Sequence, residues 1–180
     1  MALGGIGAFA LLLAWVRCGP LPAGFLEPGK HLSTTVVDRH GVALYESLSG
    51  AGGRSCWLSP EELPETLVSA TLAAEDRRFY WHAGLDPLAI ARALWHDVKA
   101  GRPAEGGSTL TQQTVKRLME RPRSIAGKLK EMLYALRLEH RLSKGEILAL
   151  YLSVAPYGNQ YVGAKAASAG YFGCPLEHLT

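Results

Sequence analysis

The rhythm of apolar and polar positions changes near Trp57. Upstream, Thr34-Thr35-Val36-Val37 and Val42-Ala43-Leu44-Tyr45 are short β-prone runs on either side of Asp38-Arg39-His40-Gly41, the pattern of a strand, a turn and a strand. From Ser59 onward the period becomes helical. Ser59-Pro60-Glu61-Glu62 has the form of a capping box with proline at the first helical position. Leu67, Ala70, Thr71 and Ala74 then recur at three- and four-residue intervals, a small-residue face that ends on Glu75. Asp86-Pro87 opens the next helix, with Leu88, Ala91, Leu94, Trp95 and Val98 as its apolar stripe and Gly101 as its stop. A further helix follows Ser108. Another starts after Ser124 and runs to about Arg141, with Ile125, Leu129, Met132, Leu133 and Leu136 as its expected buried stripe. Ser143-Lys144-Gly145-Glu146 is a second capping box, opening Ile147 to Leu152. Pro156-Tyr157-Gly158 interrupts, and Ala164 to Tyr171 forms a last short helix. The expected fold is mainly α, preceded by a short β element.

The N-terminus has a different pattern. Met1 to Val16 contains no charged side chain, and Leu11-Leu12-Leu13-Ala14-Trp15-Val16 is strongly apolar before Arg17. As a helix this run spans roughly 24 Å, short of the ~30 Å hydrocarbon core of a bilayer. A membrane anchor, a signal-anchor or an ordinary buried helix would all give such a run; the anchor is preferred, with Trp15 and Arg17 at the interface. Gly19-Pro20-Leu21-Pro22-Ala23-Gly24 breaks any helix. The division that follows is 1–17 anchor, 18–57 linker and short β element, and 58–180 main domain.

With 180 residues, 48% hydrophobic and 19% charged, the chain can build one domain with a core. Nineteen basic against 16 acidic residues give +3, too little to argue for nucleic acid but suited to an anionic substrate or membrane surface. Cys18, Cys56 and Cys174 lie far apart, match no metal-ligand spacing, and are odd in number.

Three stretches could carry chemistry. Glu75-Asp76-Arg77-Arg78-Phe79-Tyr80-Trp81-His82 places acids, cations and aromatics where an apolar helix meets a loop, a setting for a proton-transferring carboxylate. Taken alone it reads first as a helix end with solvated charges. Gly106-Gly107-Ser108-Thr109 leads into a helix in which Ser108, Gln112 and Lys116 are spaced i, i+4, i+8, offering a hydroxyl, an amide and a cation to a sugar or phosphate. Arg121-Pro122-Arg123 leads to Lys128-Leu129-Lys130-Glu131, where cations around one carboxylate could hold a diphosphate directly or through a divalent metal, or could be a plain surface ion pair. Two carboxylates, Glu75 and Glu131, suit glycosyl chemistry. A hydrolase needs an acid for a sugar leaving group, whereas a diphosphate leaving group needs positive charge. Lys116, Arg123, Lys128 and Lys130 favour the second.

With those residues in view, the chain from about Thr34 to Thr180 resembles the peptidoglycan glycosyltransferase domain of class A penicillin-binding proteins and monofunctional transglycosylases. The motifs are Glu75-Asp76-Arg77-Arg78-Phe79 with His82, Gly84 and Asp86; Gly107-Ser108-Thr109-Leu110-Thr111-Gln112-Gln113 with Lys116; Lys128-Leu129-Lys130-Glu131; and Glu146-Ile147-Leu148 through Tyr151-Leu152 to Tyr171-Phe172-Gly173. The Ser124-to-Lys130 run and the Ala155-Pro156-Tyr157-Gly158 turn look most like the type 1C penicillin-binding proteins. The resemblance implies a lysozyme-like fold, anchored on the outer face of the bacterial cytoplasmic membrane. It implies lipid II and the growing glycan chain as substrates, with cell-wall synthesis proteins as possible partners and no nucleic acid. By the family's scheme Glu75 is the general base toward the acceptor 4-hydroxyl. Glu131 is the second catalytic carboxylate, organising the diphosphate side, with Mg²⁺ or Mn²⁺ possible there. Asp76, Arg78, Phe79, Ser108, Thr109, Gln112, Lys116, Arg123, Lys128 and Lys130 are the expected substrate contacts, Asp76 being read also as partner to a nearby cation or backbone group. Gly127 stands where the family usually has Arg, Arg117 and Ser153 where Asn is common, and Cys174 where Lys often follows Tyr-Phe-Gly. No Ser-x-x-Lys transpeptidase signature is present, and the domain is expected to continue past Thr180.

Overall fold

The computed structural model describes residues 11, 13–27, 33–49, 53–100, 107–119 and 124–179. Their helices are α1 (Glu65–Glu75), α2 (Pro87–Ala100), α3 (Leu110–Met119), α4 (Ile125–Arg141), α5 (Lys144–Val154) and α6 (Ala164–Phe172), with a helical stretch at residues 13–18. The strands are β1 (Thr34–Val37), β2 (Ala43–Ser47), β3 (Arg54–Ser55) and β4 (Tyr161–Val162). The fold is mainly helical. The chain divides into two compact units: one of Met1–Pro22 with Glu75–Lys144, the other of Ala23–Ala74 with Gly145–Thr180.

The second unit is built on α5. Ile147 to Val154 are all buried, so this helix is apolar around its whole circumference, the signature of a central core helix. Each fully buried Leu or Ile contributes roughly 1.5–3 kcal/mol. Ser153, which stands inside that core, is satisfied twice: its hydroxyl donates to Ala149 O (2.7 Å) and accepts from Leu58 N (2.9 Å). Gly163 leads into α6 at φ 87°, and a Cβ there would lie 2.6 Å from Ser153 O, so only glycine fits this approach. β3 and β4 pair in parallel, two residues each, which no periodicity announces. β1 and β2 form the expected antiparallel hairpin, with Asp38 Oδ1 accepting from His40 N (2.7 Å) and Val42 N (2.9 Å) across the turn. The Ser59 capping box serves a one-turn 3-10 helix, Pro60–Glu62, where Glu62 accepts from Ser59 N (2.9 Å); α1 begins only at Glu65.

In the first unit two predicted stripes hold only in part. Ile125 and Leu129 of α4 are exposed and Met132, Leu133 and Leu136 are half-buried, while the fully buried line is Gly127, Glu131, Ala135 and Leu138. In α2, Leu88, Ala91 and Trp95 face outward, while the side chains of Leu94 and Val98 lie outside the described residues. Periodicity finds an apolar face; in α4 its first turn is left outside and the rest packs only partly inward. The far end of α4 is tied to the N-terminal stretch. Arg137, 4% exposed, donates to Pro20 O (2.7 Å), Val16 O (3.2 Å) and Trp15 O (3.4 Å), and Arg141 donates to Gly19 O (2.8 Å). Val16 belongs to the last turn of the helical stretch, where a cation suits the helix dipole; Trp15 O also accepts from Gly19 N (3.0 Å), and Gly19 and Pro20 lie just past the helical residues. Among the described residues no helix is long and apolar enough to cross a membrane, and residues 1–10 and 12 of the expected anchor lie outside them.

Candidate active site

The first unit holds every described residue singled out for chemistry. α1 ends on Glu75, whose side chain is exposed and whose Oε2 accepts from Gln113 Nε2 at 2.8 Å. The next residue turns the other way. Asp76 is buried, and its Oδ2 accepts the backbone N–H of Leu110 (2.9 Å), the first residue of α3, and a bond from His82 Nε2 (3.0 Å). Gly84 N donates to His82 Nδ1 (3.2 Å), so the imidazole proton sits on Nε2 and points at Asp76. Gly84 itself has φ 92°, and a Cβ would meet Ala135 O at 2.8 Å, which is why the turn needs glycine.

Arg78 grips Asp86 with one guanidinium nitrogen at 2.7 and 2.6 Å from the two carboxylate oxygens. Asp86 Oδ1 also caps α2, accepting from Leu88 N (3.0 Å) and Ala89 N (3.1 Å). Burial opposes ionisation of Asp86. The Ala89 N–H, the Arg78 hydrogen bond and the Arg78 charge outweigh it and hold the carboxyl below its ordinary range. Phe79 is fully buried, with the Lys144 ammonium 4.2 Å from its ring centroid; Lys144 donates to His82 O and to Glu139, both at 2.7 Å.

Across from this knot, Ser124 caps α4, its Oγ accepting from Gly127 N at 3.0 Å. Lys128 and Glu131 follow on that helix. Glu131 is 1% exposed and its Oε1 pairs with Lys128 Nζ, which also donates to Ser108 Oγ (2.8 Å). A buried carboxylate thus holds an ammonium whose side chain remains 38% exposed. Lys116 and Lys130 are exposed as well, and Arg123 lies outside the described residues.

Four of the expected substrate contacts are turned inward. Asp76, Phe79, Thr109 and Gln112 are buried. Thr109 and Gln112 form a reciprocal capping box on α3: Gln112 Oε1 accepts from Thr109 N (3.0 Å), Thr109 Oγ1 accepts from Gln112 N (3.2 Å), and the Thr109 hydroxyl donates to Gly84 O (2.6 Å). The shared face of Ser108, Gln112 and Lys116 therefore does not exist. Ser108 precedes the helix, so helical spacing does not apply to it, and Gln112 is turned inward. Gln113 is the side chain that reaches Glu75, and the sequence signal for it was the Thr-x-x-Gln box that commits its neighbour. Glu131 fits a metal poorly. Its carboxylate carries an ammonium, and among the described residues no three His, Cys, Asp or Glu side chains gather as ligands.

The entry of α3 therefore touches both halves of the site, Gln113 on Glu75 and Ser108 on the Lys128–Glu131 pair. A family model described as Transglycosylase matches residues 42–180. The chain belongs to the transglycosylase family. It is 38% identical over 174 residues to penicillin-binding protein 1C of Escherichia coli, covering 94% of this chain and 22% of that protein. It is 37% identical over 175 residues to the biosynthetic peptidoglycan transglycosylase of an Azoarcus species, covering 97% of this chain and 76% of that one. Penicillin-binding protein 1A of Aquifex aeolicus matches at 42% over 125 residues, 69% of this chain and 17% of its own length. The chain thus spans about a fifth of the penicillin-binding proteins it matches, and about three quarters of the shorter transglycosylase.

Proposed function

We propose that this transglycosylase-family chain is a peptidoglycan glycosyltransferase that polymerises lipid II into β-1,4-linked glycan and releases undecaprenyl diphosphate. The observation that carries the reading is the Ser108–Lys128–Glu131 arrangement: a partly exposed ammonium fixed by a buried carboxylate, a few residues in sequence from the amide that orients Glu75. Glu75, exposed and held by Gln113, takes the proton of the acceptor 4-hydroxyl. The oxygen attacks C1 of the donor sugar, the C1–O bond to the diphosphate breaks, and configuration inverts. The departing diphosphate gathers negative charge, which Lys128, Lys116 and Lys130 meet, with Arg123 as a further cation. Glu131 acts through Lys128, keeping its ammonium aimed. A hydrolase would need a protonated acid at that place, where the chain puts a lysine. A Mg²⁺ or Mn²⁺ ion would arrive on the substrate diphosphate rather than in a protein cage.

The reading places the chain at the outer face of the cytoplasmic membrane, with residues 1–17 as anchor and cell-wall synthesis proteins as neighbours. Exposed Trp81, Leu88, Trp95, Ile125 and Leu129 in the unit that carries Glu75 support contact with lipid. The test is incubation with labelled lipid II. Polymer and free undecaprenyl diphosphate are expected; cleavage of existing glycan without polymer would sink the reading. Glu75→Gln should lower turnover by about 10²–10⁴-fold while lipid II binding changes little.

A further inference from the structure

Lys144, the first residue of α5, takes no part in proton transfer or in holding the diphosphate, yet its ammonium ties several segments of the first unit together. It donates to His82 O and to Glu139 Oε1, both at 2.7 Å, and lies 4.2 Å from the centroid of the Phe79 ring. The Glu139 side chain is 6% exposed and that of Lys144 23%, so the pair is largely withdrawn from water. Such a pair holds only when its charges stay together and its oxygens find donors. The same Glu139 Oε1 also accepts from Thr111 Oγ1 at 2.6 Å, and Thr111 is fully buried in α3.

These contacts reach the two segments that hold Glu75. His82 O and the Phe79 ring belong to the turn that follows Glu75-Asp76. In that turn His82 Nε2 donates to Asp76 (3.0 Å), and Asp76 accepts the first N–H of α3, that of Leu110, at 2.9 Å. Thr111 comes next in α3, a little ahead of Gln113, whose amide donates to Glu75 Oε2 at 2.8 Å. Two residues on a helix are about 3 Å apart along its axis and share a rigid backbone, so a shift at Thr111 is passed on to Gln113. Without the ammonium, the buried Glu139 carboxylate is left with the Thr111 hydroxyl. It must turn toward water or take up a proton, and either change disturbs its bond to Thr111.

We propose that Lys144 is a positioning residue for Glu75. By holding His82 O and Glu139 together, its ammonium fixes the Phe79–His82 turn against α3 and so keeps the Gln113 amide on the Glu75 carboxylate. The kinetic side of this role rests on lipid II polymerisation as the reaction; the geometric side does not.

The Gln113 side-chain amide reports the bond directly. In NMR spectra of the whole ¹⁵N-labelled chain, Glu75→Ala marks where the Gln113 Nε2–H signal falls once the bond is gone. Lys144→Met should move the signal most of the way to that position. Glu139→Gln, nearly isosteric, should move it in the same direction, and it carries the test where Lys144→Met shows no native melting transition. In lipid II turnover Lys144→Met should lower kcat by up to about a hundredfold, the scale of an ångström of misplacement, with KM changed less than about threefold. Added to Gln113→Leu, the same change should lower kcat less than about threefold, because the bond it protects is already absent. A lysine that only stabilised the fold would lower the melting temperature, leave the Gln113 signal in place, and cost the same factor in kcat with or without Gln113. Either an unmoved signal in the folded variants or an equal kcat loss in both backgrounds overturns the proposal, as does a rise in KM with kcat kept. A wild-type chain that leaves lipid II unchanged, while its Gln113 signal moves as expected in the variants, sinks the polymerisation reading and leaves Lys144 in this role.

Discussion

Asp76 and Asp86 look alike in the sequence, each an acid beside cations and aromatics, and each fastens a different helix. Asp76 receives the first N–H of α3 and the His82 proton; Asp86 caps α2 and holds Arg78. For Asp86 the pH consequence has a definite sign. Its folded pKa lies below the unfolded value of about 3.9, so its contribution is fully present above that value and is lost as pH falls through the folded pKa. Asp86→Asn keeps the capping oxygen and removes the charge, which should cost about 1–2 kcal/mol at neutral pH. In denaturant titrations the gap between wild type and variant should close as pH drops below about 4; a gap constant down to pH 2 would assign the loss to shape rather than charge. The same scale explains what the motif reading could not separate. Gln112 and Gln113 are adjacent amides, and only the N-terminal geometry of α3 decides which one is spent on Thr109 and which one meets Glu75. Gln113→Leu should therefore cut lipid II turnover, while Gln112→Leu should mainly lower the melting temperature.

Elements were legible wherever a punctuating residue marked them. Asp86-Pro87, Ser124 and the Pro156-to-Gly158 break all fall at real boundaries, because capping and proline geometry are local. The burial of α4 was not legible. Its inward line includes a carboxylate, Glu131, and its most apolar outward positions, Ile125 and Leu129, look like core in any periodic reading. A buried charge is stable only with its partner, and Lys128 supplies that partner from one turn away. Nor did periodicity reveal that α4 is held at its other end. Arg137 collects three backbone carbonyls from the N-terminal stretch and lies 5.0 Å from the Trp15 ring centroid. Arg137→Ala should lower unfolding stability by roughly 2–4 kcal/mol, and Arg137→Lys should recover less than half, because an ammonium lacks the planar fork. In a chain lacking residues 1–22 the alanine change should cost less than about 1 kcal/mol. An equal cost with and without that segment would show that Arg137 works through Tyr134 and its own helix instead.

At the scale of the molecule, the distribution of exposed apolar side chains carries the argument for a membrane surface. Trp81 is 86% exposed and Ile125 83%, and Tyr80, Leu88, Trp95 and Leu129 are exposed in the same unit. That unit also bears Glu75 and Lys128, whose proposed substrate has a polyprenyl tail that lies in lipid. A net charge of +3 adds attraction to an anionic leaflet, worth about 1 kcal/mol for each basic group near the surface. The apolar contribution is the larger one if these side chains enter the interface, at about 1.5 kcal/mol for each large side chain removed from water. In a chain without the 1–17 segment, replacing Trp81 and Trp95 together by alanine should then weaken binding to phosphatidylglycerol-containing vesicles by about a hundredfold. Raising the salt should weaken the wild type much less, since screening acts on the charges and leaves the apolar contact in place. Vesicle flotation at low and high ionic strength measures both effects on the same samples. If the double variant floats as well as the wild type while salt alone releases the protein, charge carries the contact and the exposed tryptophans do not.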